Sequence, residues 1–129
     1  MTDDPGRPVG EPALRAIAMP ADTNPAGDIF GGWLLSQMDL AAGTTAHHRA
    51  RGRVVTVAIE GMTFHKPVHV GDEVSCYTAV TKVGRTSMTI CVQAWRRPSH
   101  GGAQVKVTEG VFTYVAVGPD GRPRPVPPE

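Results

Sequence analysis

Residues 28–51 read DIFGGWLLSQMDLAAGTTAHHRAR, and this stretch decides the fold. Nothing in 33–46 breaks a helix, and Leu, Met, Gln and Ala favour one, so the stretch predicts a helix of roughly five turns that begins near Gly31. Asp28 is the predicted N-cap, and Gly52 is expected to end the helix.

This predicted helix is apolar on nearly every side. Asp39 is the only charged residue in 29–46. A helix that is apolar all round is buried all round, so we expect Asp39 to lie in the core. One sheet covers only one side of a helix. The pattern therefore predicts a strongly curled sheet or a second subunit, and in either case a homo-oligomer.

The rest of the chain predicts five strands, because its apolar runs alternate or are rich in β-branched residues. These runs are 14–19, 53–62, 73–83, 86–97 and 104–117. Gly84-Arg85 fits the turn of a two-residue hairpin, and Gly110 is expected to mark a bulge. The order predicts an α+β domain, with one long helix against a five-stranded antiparallel sheet.

Length and charge limit the possible functions. The chain has 129 residues and a net charge of +1, which predicts a single domain and gives no reason to expect a nucleic-acid partner. We divide it into a flexible N-terminal segment (1–12), the folded domain (13–117) and an extended Pro-rich tail (118–129). The N-terminus lacks the apolar region of a signal peptide, so we expect a cytoplasmic protein.

The apolar helix is also long enough to be considered as a membrane span. A charge at its centre, Asp39, would cost ~3 kcal/mol on insertion scales, and no second span follows. We therefore expect no membrane partner.

Cys76 and Cys91 fall in consecutive predicted strands, where the predicted turn places them diagonally across one face of the sheet. In a reducing cytosol they are expected to be buried thiols.

No metal or cofactor is expected. The sequence contains no phosphate-binding loop, dinucleotide fingerprint, serine-hydrolase elbow or C-x-x-C motif. His65 and His69 are four residues apart, but Pro67 between them excludes the helical face that would direct both at one metal ion. Surface histidines are the simpler interpretation. The same holds for His47 and His48 at the end of the helix.

Asp39 is the first candidate for chemistry. A carboxylate in an apolar helix must be paired, protonated or functional, because burying it bare is costly. Residues spaced three, four and seven from it on the helix are mostly small, which leaves room for a ligand or another backbone. They are Gly32, Leu35, Ser36, Ala42 and Gly43. The structural alternative is that Asp39 accepts hydrogen bonds from core partners across a subunit contact.

Asn24 lies in a loop just before the helix and is the second candidate. At the helix N-terminus the N–H groups of Gly31 and Gly32 are free, and the helix dipole is positive. A carbonyl placed there would be polarised as in an oxyanion hole. In the alternative interpretation, Asn24-Pro25 is only a turn and the glycines serve close packing.

Three runs of the sequence resemble one family. They are AMPADTNPAGDIFGGWLLSQMDLA (18–41), GRVVTVAIEGMTFHKPVHVGDEVSCY (52–77) and VFTYVAVGPDGRPRPVP (111–127). Together they resemble the YciA branch of the acyl-coenzyme A (CoA) thioesterases with the hotdog fold, over about residues 13–127. The pattern F-x-x-P-x-x-x-G-D in 64–72 is common across hotdog thioesterases and is weaker evidence.

The resemblance implies a helix wrapped by a curled sheet, dimers whose two sheets join, and commonly three such dimers in a hexamer. It implies hydrolysis of acyl-CoA to the free acid and CoA at the dimer interface. Asp39 would be the general base or the nucleophile, with Asn24 contributed by the opposite subunit. His47-His48-Arg49 differs from the Lys-Glu pattern of relatives and is expected to touch nothing catalytic.

The phosphates of CoA need cations at the rim of the site. The candidates are Arg53, Lys66 and Arg85, with Gly84, Thr86 and Ser87 supplying N–H and hydroxyl groups at the hairpin turn; the alternative is that these are solvated charges and a plain turn. A non-catalytic acyl-CoA-binding hotdog protein is the rival function. An enoyl-CoA hydratase would need a His five residues after the Asp. The residue five positions after Asp39 is Thr44, so this activity is not expected.

Overall fold

A computed structural model of the protein describes residues 7–129, so the first six positions of the predicted flexible segment lie outside the described residues. The predicted element order is confirmed, with boundaries moved by at most two residues. The elements are β1 (Leu14–Ile17), a short 3₁₀ turn (Pro20–Asp22), α1 (Gly31–Ala50), β2 (Val54–Glu60), β3 (Glu73–Val83), β4 (Ser87–Arg97) and β5 (Val105–Ala116).

The five strands form one antiparallel sheet in the order β1-β3-β4-β5-β2. Helix α1 lies on one face of this sheet and contacts all five strands. Their shared core is built from one face of each element. Its largest fully buried side chains include Tyr114, Phe112, Met38, Met88 and Ile90.

The start of α1 differs from the prediction. Its N-cap is Phe30, which makes no side-chain cap, and the carbonyl of Phe30 accepts the N–H groups of Trp33 and Leu34. Asp28 is not the cap, because its backbone is held inside the preceding loop by Asn24. The Asp28 carbonyl accepts the Asn24 N–H at 2.7 Å, and the Asp28 N–H donates to Asn24 Oδ1 at 3.1 Å.

The end of α1 also departs from the prediction by one residue. Arg51, not Gly52, takes the left-handed conformation, with φ 55° and ψ 42°. Gly52 leaves room for the Arg124 side chain, since a Cβ there would lie 2.7 Å from Nη2 of Arg124. Arg124 in the tail donates to the Ala50 carbonyl at 3.0 Å. The Pro-rich tail therefore packs against the helix end and supplies one of its caps.

Within one protomer, α1 is buried on one face only. The buried stripe contains Leu34, Met38, Ala42, Ala46 and Ala50, while Leu40 on the other side is 58% exposed. The expectation that the helix is buried all round is thus wrong for a single protomer. Among residues 7–129, no helix is long and apolar enough to cross a membrane.

The β3–β4 hairpin turns at Arg85–Thr86, one residue later than predicted. The Gly84 N–H bonds to the Ser87 carbonyl at 2.8 Å, and the pairing shifts by one residue between Val80 and Lys82. The later turn and the shifted pairing together change which residues of β3 lie opposite which residues of β4, compared with the pairing that a Gly84-Arg85 turn predicts.

The two cysteines therefore lie on opposite faces of the sheet, and the prediction of one shared face is wrong. Cys76 pairs with Ala94 and faces the helix, whereas Cys91 pairs with Ala79. Both thiols are buried, as predicted. Burial raises the pKa of Cys76 to about 12.

Gly110 does not mark a bulge, because it pairs in register with Val92. The irregularity in β5 lies at Val107, where Ala94 pairs with Thr108 and Trp95 with Lys106. Gly110 leaves room for the Met62 side chain, since a Cβ there would overlap the sulfur of Met62.

Candidate active site

A cavity of about 540 Å³ lies between α1 and the strands β2 and β5. It is lined by Asp39, Leu40, Gly43, Thr44, His47, Arg53, Val54, Thr56 and Tyr114. The helix supplies one wall with residues spaced about one turn apart, and the strands supply the other. Asp39 is the only carboxylate in this lining.

Two hydroxyl groups hold one oxygen of the Asp39 carboxylate. Tyr114 donates to Asp39 Oδ1 at 2.5 Å, and Thr56 donates to the same atom at 2.9 Å. The arrangement follows from strand pairing, because Thr56 of β2 and Tyr114 of β5 are directly opposite each other in the sheet. Two neighbouring strands thus present two donors at one point on the helix.

The second carboxylate oxygen of Asp39 has no hydrogen-bond partner within residues 7–129. Asp39 is half-buried at the cavity wall, which corrects the expectation that it lies in the core. The hydroxyl groups fix the plane of the carboxylate and leave Oδ2 able to accept a proton from a small molecule in the cavity.

Tyr114 is suited to remain a hydrogen-bond donor. Burial raises the pKa of its phenol well above the ordinary value, and the hydrogen bond to Asp39 raises it further. A phenolate beside the Asp39 carboxylate would place two negative charges in contact. Tyr114 therefore stays protonated at any physiological pH.

The sequence analysis missed Tyr114 and Thr56. A signal for Tyr114 was present, since it alternates with Phe112 and Ala116 on the buried face of β5. A buried tyrosine hydroxyl needs a partner, and a carboxylate in an apolar helix needs donors. Thr56 had no such signal, because its role depends on the register of β2 against β5.

The helix N-terminus forms a separate cavity of about 260 Å³, lined in part by Gly31, Phe64 and Lys66. The N–H groups of Gly31 and Gly32 have no hydrogen-bond partner among the described residues. Gly31 and Asp39 are eight residues apart on the helix, which is roughly 12 Å along its axis. One protomer therefore does not bring these glycines and Asp39 to a common reacting atom.

Asn24 lies in the loop before the helix and lines neither cavity. Its side-chain oxygen accepts the N–H groups of Ala26 at 3.0 Å and Asp28 at 3.1 Å. Its amide nitrogen has no partner within residues 7–129. The carboxamide is thus held by its oxygen and presents an N–H₂ donor.

The candidate CoA contacts fall in three places. Arg53 lines the Asp39 cavity, Lys66 lines the cavity at the helix N-terminus, and 84–87 form the β3–β4 turn. Gly84 leaves room for the Ser87 hydroxyl, since a Cβ there would lie 2.8 Å from Ser87 Oγ. Arg53 is the only one of these cations beside Asp39 in a single protomer.

His47 also lines the Asp39 cavity, because positions 39, 43 and 47 share one face of α1. His47 therefore borders the cavity that contains the candidate base, and the expectation that this helix end touches nothing catalytic stays a prediction. Within residues 7–129, no three His, Cys, Asp or Glu side chains are grouped closely enough to hold a metal ion.

Comparison with known proteins gives the family. The model of the thioesterase superfamily matches residues 26–103. The acyl-CoA thioester hydrolase YciA of Salmonella typhimurium is 53% identical over 130 residues, covering 98% of both chains.

Solved structures agree with this fold. The hexameric thioesterase y2039 from Yersinia pestis has a TM-score of 0.90 at 53% identity, covering 95% of this chain and 99% of that one. Cj0915, a hexameric hotdog fold thioesterase of Campylobacter jejuni, has a TM-score of 0.87 at 44% identity, covering 94% and 93%. The chain therefore has the hotdog fold and belongs to the thioesterase superfamily, within it to the YciA-type acyl-CoA thioester hydrolases.

Proposed function

We propose that this protein hydrolyses acyl-CoA thioesters to the free acid and CoA, with Asp39 as general base. The observation that carries the proposal is the asymmetry of the Asp39 carboxylate. Oδ1 is held by Tyr114 and Thr56, whereas Oδ2 has no partner among the described residues and belongs to a side chain that lines a cavity of about 540 Å³.

A second protomer completes the site. Asp39 lies roughly 12 Å from Gly31 along one helix, so an oxyanion hole for the same carbonyl must come from another copy. We assign Gly31, Gly32 and Asn24 of that copy to this role. The exposed apolar side chains of α1 and β2, among them Leu40, Val57 and Ile59, support this assembly, since such surface favours contact with a second chain.

The hexameric state of the Yersinia and Campylobacter relatives supports a homohexamer for this chain as well. We propose that it is built as three dimers, with one Asp39 site in each protomer. Neighbouring copies then share every site, which links activity to assembly.

In the proposed reaction, Asp39 Oδ2 takes a proton from water as the water oxygen bonds to the thioester carbon. The carbonyl oxygen becomes negative and is stabilised by the N–H groups at the partner's helix N-terminus. Collapse of the tetrahedral species breaks the carbon–sulfur bond, releases the CoA thiolate and leaves the free acid. The proton on Asp39 returns to the thiolate or to solvent, and no cofactor is required.

The CoA part of the substrate carries the phosphates, and we assign Arg53, Lys66 and the 84–87 turn to their binding. Arg53 is the best supported, because it lines the Asp39 cavity. The cytoplasmic location and the domain boundaries at residues 12 and 117 stay predictions.

Release of free thiol from a panel of acyl-CoA substrates tests the proposed function. We expect turnover of at least one chain length, with equimolar appearance of CoA and acid. The rival, a non-catalytic acyl-CoA-binding protein, predicts binding by titration calorimetry without thiol release. Binding of every acyl-CoA in the panel with no release would exclude hydrolysis.

A further inference from the structure

Three arginines surround a cavity at the C-terminal end of α1. The cavity has a volume of about 290 Å³ and lies between the helix end and the start of the tail. Arg51, Arg53 and Arg124 line it together with Gly52, Gly118 and others. No acidic side chain is part of this lining.

The three arginines differ in how many of their side-chain donors are already hydrogen-bonded. Arg51 and Arg53 make no side-chain hydrogen bond or ion pair within residues 7–129. Arg124 donates from Nε to the Val117 carbonyl at 3.1 Å and from Nη2 to the Ala50 carbonyl at 3.0 Å, so its fork is fixed by backbone groups and its charge is not neutralised. Two exposed guanidinium groups and one fixed guanidinium group beside the same cavity favour the binding of an anion there.

Two nearby features that would oppose an anion already have hydrogen-bond or ion-pair partners. The carbonyls at the helix end are occupied, because Ala50 accepts from Arg124, and His47 and His48 accept from the N–H groups of Gly52 and Arg51. Asp120 lies close to Gly118, but its carboxylate pairs with Arg122 at 3.9 Å and accepts the Arg122 N–H at 3.0 Å.

The position of this cavity relates it to Asp39. Arg53 lines both cavities, so they are neighbours across one side chain. Ala50 is eleven residues beyond Asp39, which is roughly 16 Å along the helix. An extended molecule with its reactive end at Asp39 would therefore carry an anionic group to the arginines.

We propose that Arg51, Arg53 and Arg124 form a phosphate-binding site at the C-terminal end of α1. Guanidinium groups suit phosphate because they donate paired hydrogen bonds and stay charged. The phosphate belongs either to the CoA part of the substrate, in which case the inference rests on the proposed function, or to a separate phosphate-bearing ligand. The site chemistry is the same for both sources.

Binding of inorganic pyrophosphate, measured by titration calorimetry at low salt, tests the site without any hydrolysis. Arg51→Gly is the deciding variant, because Arg51 sits at φ 55°, where glycine is favoured, so folding is preserved while one guanidinium is removed. We expect Arg51→Gly and Arg124→Gln each to weaken pyrophosphate binding about tenfold or more.

Arg7→Ala is the control for loss of a surface charge, since Arg7 is exposed and does not line the cavity. It should leave pyrophosphate affinity unchanged. The proposal is overturned if the wild type does not bind pyrophosphate, if Arg51→Gly binds it as tightly as the wild type, or if Arg7→Ala weakens binding equally.

Kinetics with two substrates identify the source of the phosphate. If the site binds CoA, Arg51→Gly raises KM for acyl-CoA and leaves KM for the phosphate-free acyl-pantetheine unchanged. If the ligand is separate, both KM values stay as in the wild type while pyrophosphate binding is lost. If the proposed function is wrong, neither substrate releases thiol. Pyrophosphate binding is measured by calorimetry without turnover, so it still tests the phosphate site in that case.

Discussion

The hydroxyl of Tyr114 lies 2.5 Å from Oδ1 of Asp39 and 3.0 Å from the main-chain oxygen of the same residue. One donor on β5 is therefore shared between the side chain and the backbone of one helical residue. The contact limits rotation of the carboxylate about its χ angles and holds the helix at a set position over the sheet. Tyr114 thus orients the proposed base, although it need not touch the substrate.

Tyr114→Phe should lower kcat about tenfold or more with little change in KM, because the base loses its orientation. The lost hydrogen bond to a charged group should also cost roughly 2 kcal/mol of stability. Steady-state kinetics and thermal unfolding of the same preparation measure both effects. Tyr77→Phe is the control, since its hydroxyl contacts Gln104 at 3.3 Å and not Asp39; equal kcat losses in the two variants would refute the role of Tyr114.

Stability should fall at alkaline pH because of Tyr114. Its folded-state pKa is raised, so below the ordinary tyrosine pKa of about 10 its contribution is fully present. As pH rises above 10, the unfolded chain releases the proton while the folded chain retains it, and the contribution is lost.

Thermal unfolding from pH 8 to 11 should therefore show a steeper decline for the wild type than for Tyr114→Phe. Cys76, whose pKa is also raised, is present in both proteins and cancels in the comparison. Parallel declines in the two proteins would show that Tyr114 does not titrate differently on unfolding.

Asp39→Asn should fold and assemble while kcat falls by ~10² or more, the usual scale for a positioned general base. The amide oxygen can still accept from Tyr114 and Thr56, so stability should change little. Asp28→Asn is the control, because the Asp28 side chain makes no hydrogen bond within residues 7–129. A folded, oligomeric Asp39→Asn protein with wild-type kcat would end the proposed mechanism.

Assembly and activity should be lost together. Val57 is 53% exposed on the edge strand β2, and a charge there should disfavour contact with a second copy. We expect Val57→Glu to sediment as a smaller species with strongly reduced kcat, since the proposed site is shared. Val9→Glu, at a 69% exposed position outside the sheet, should sediment as the wild type. A fully active monomer would rule out a shared site.

Lys66→Ala and Arg85→Ala should raise KM for acyl-CoA and leave kcat nearly unchanged, because exposed cations act on phosphate binding. The effect should shrink in high salt, which screens such pairs. Arg122→Ala serves as the control for loss of a surface charge. A variant with lower kcat and unchanged KM would show that the residue does not contact a phosphate.

The sequence predicted what depends on local pattern. The five strands, the helix from Gly31 and the antiparallel sheet follow from periodicity and turn residues. Asp39 was singled out as the one charge in an apolar helix, and the resemblance supplied its role as general base or nucleophile. The structure places Asp39 at a cavity with a free carboxylate oxygen, while its catalytic role stays a prediction.

One group of errors arose where an outcome depends on register. The faces of Cys76 and Cys91 changed because the hairpin turns one residue later and the pairing shifts between Val80 and Lys82. The pairing of Thr56 with Tyr114 also depends on register, because the β2–β5 pairing shifts by one residue between Thr56 and Ala58. A one-residue shift reverses the face of a side chain, and no local pattern in the sequence marks it.

The sheet order also has a consequence for synthesis of the chain. Helix α1 leaves the ribosome before β3, β4 and β5, which form the centre of the sheet that buries Met38 and its neighbours. The Ala50 carbonyl at the end of α1 receives its cap later still, because Arg124 follows β5 in the chain. The nascent helix therefore carries an uncovered apolar stripe until the three central strands have been synthesised, and stable folding is delayed until then.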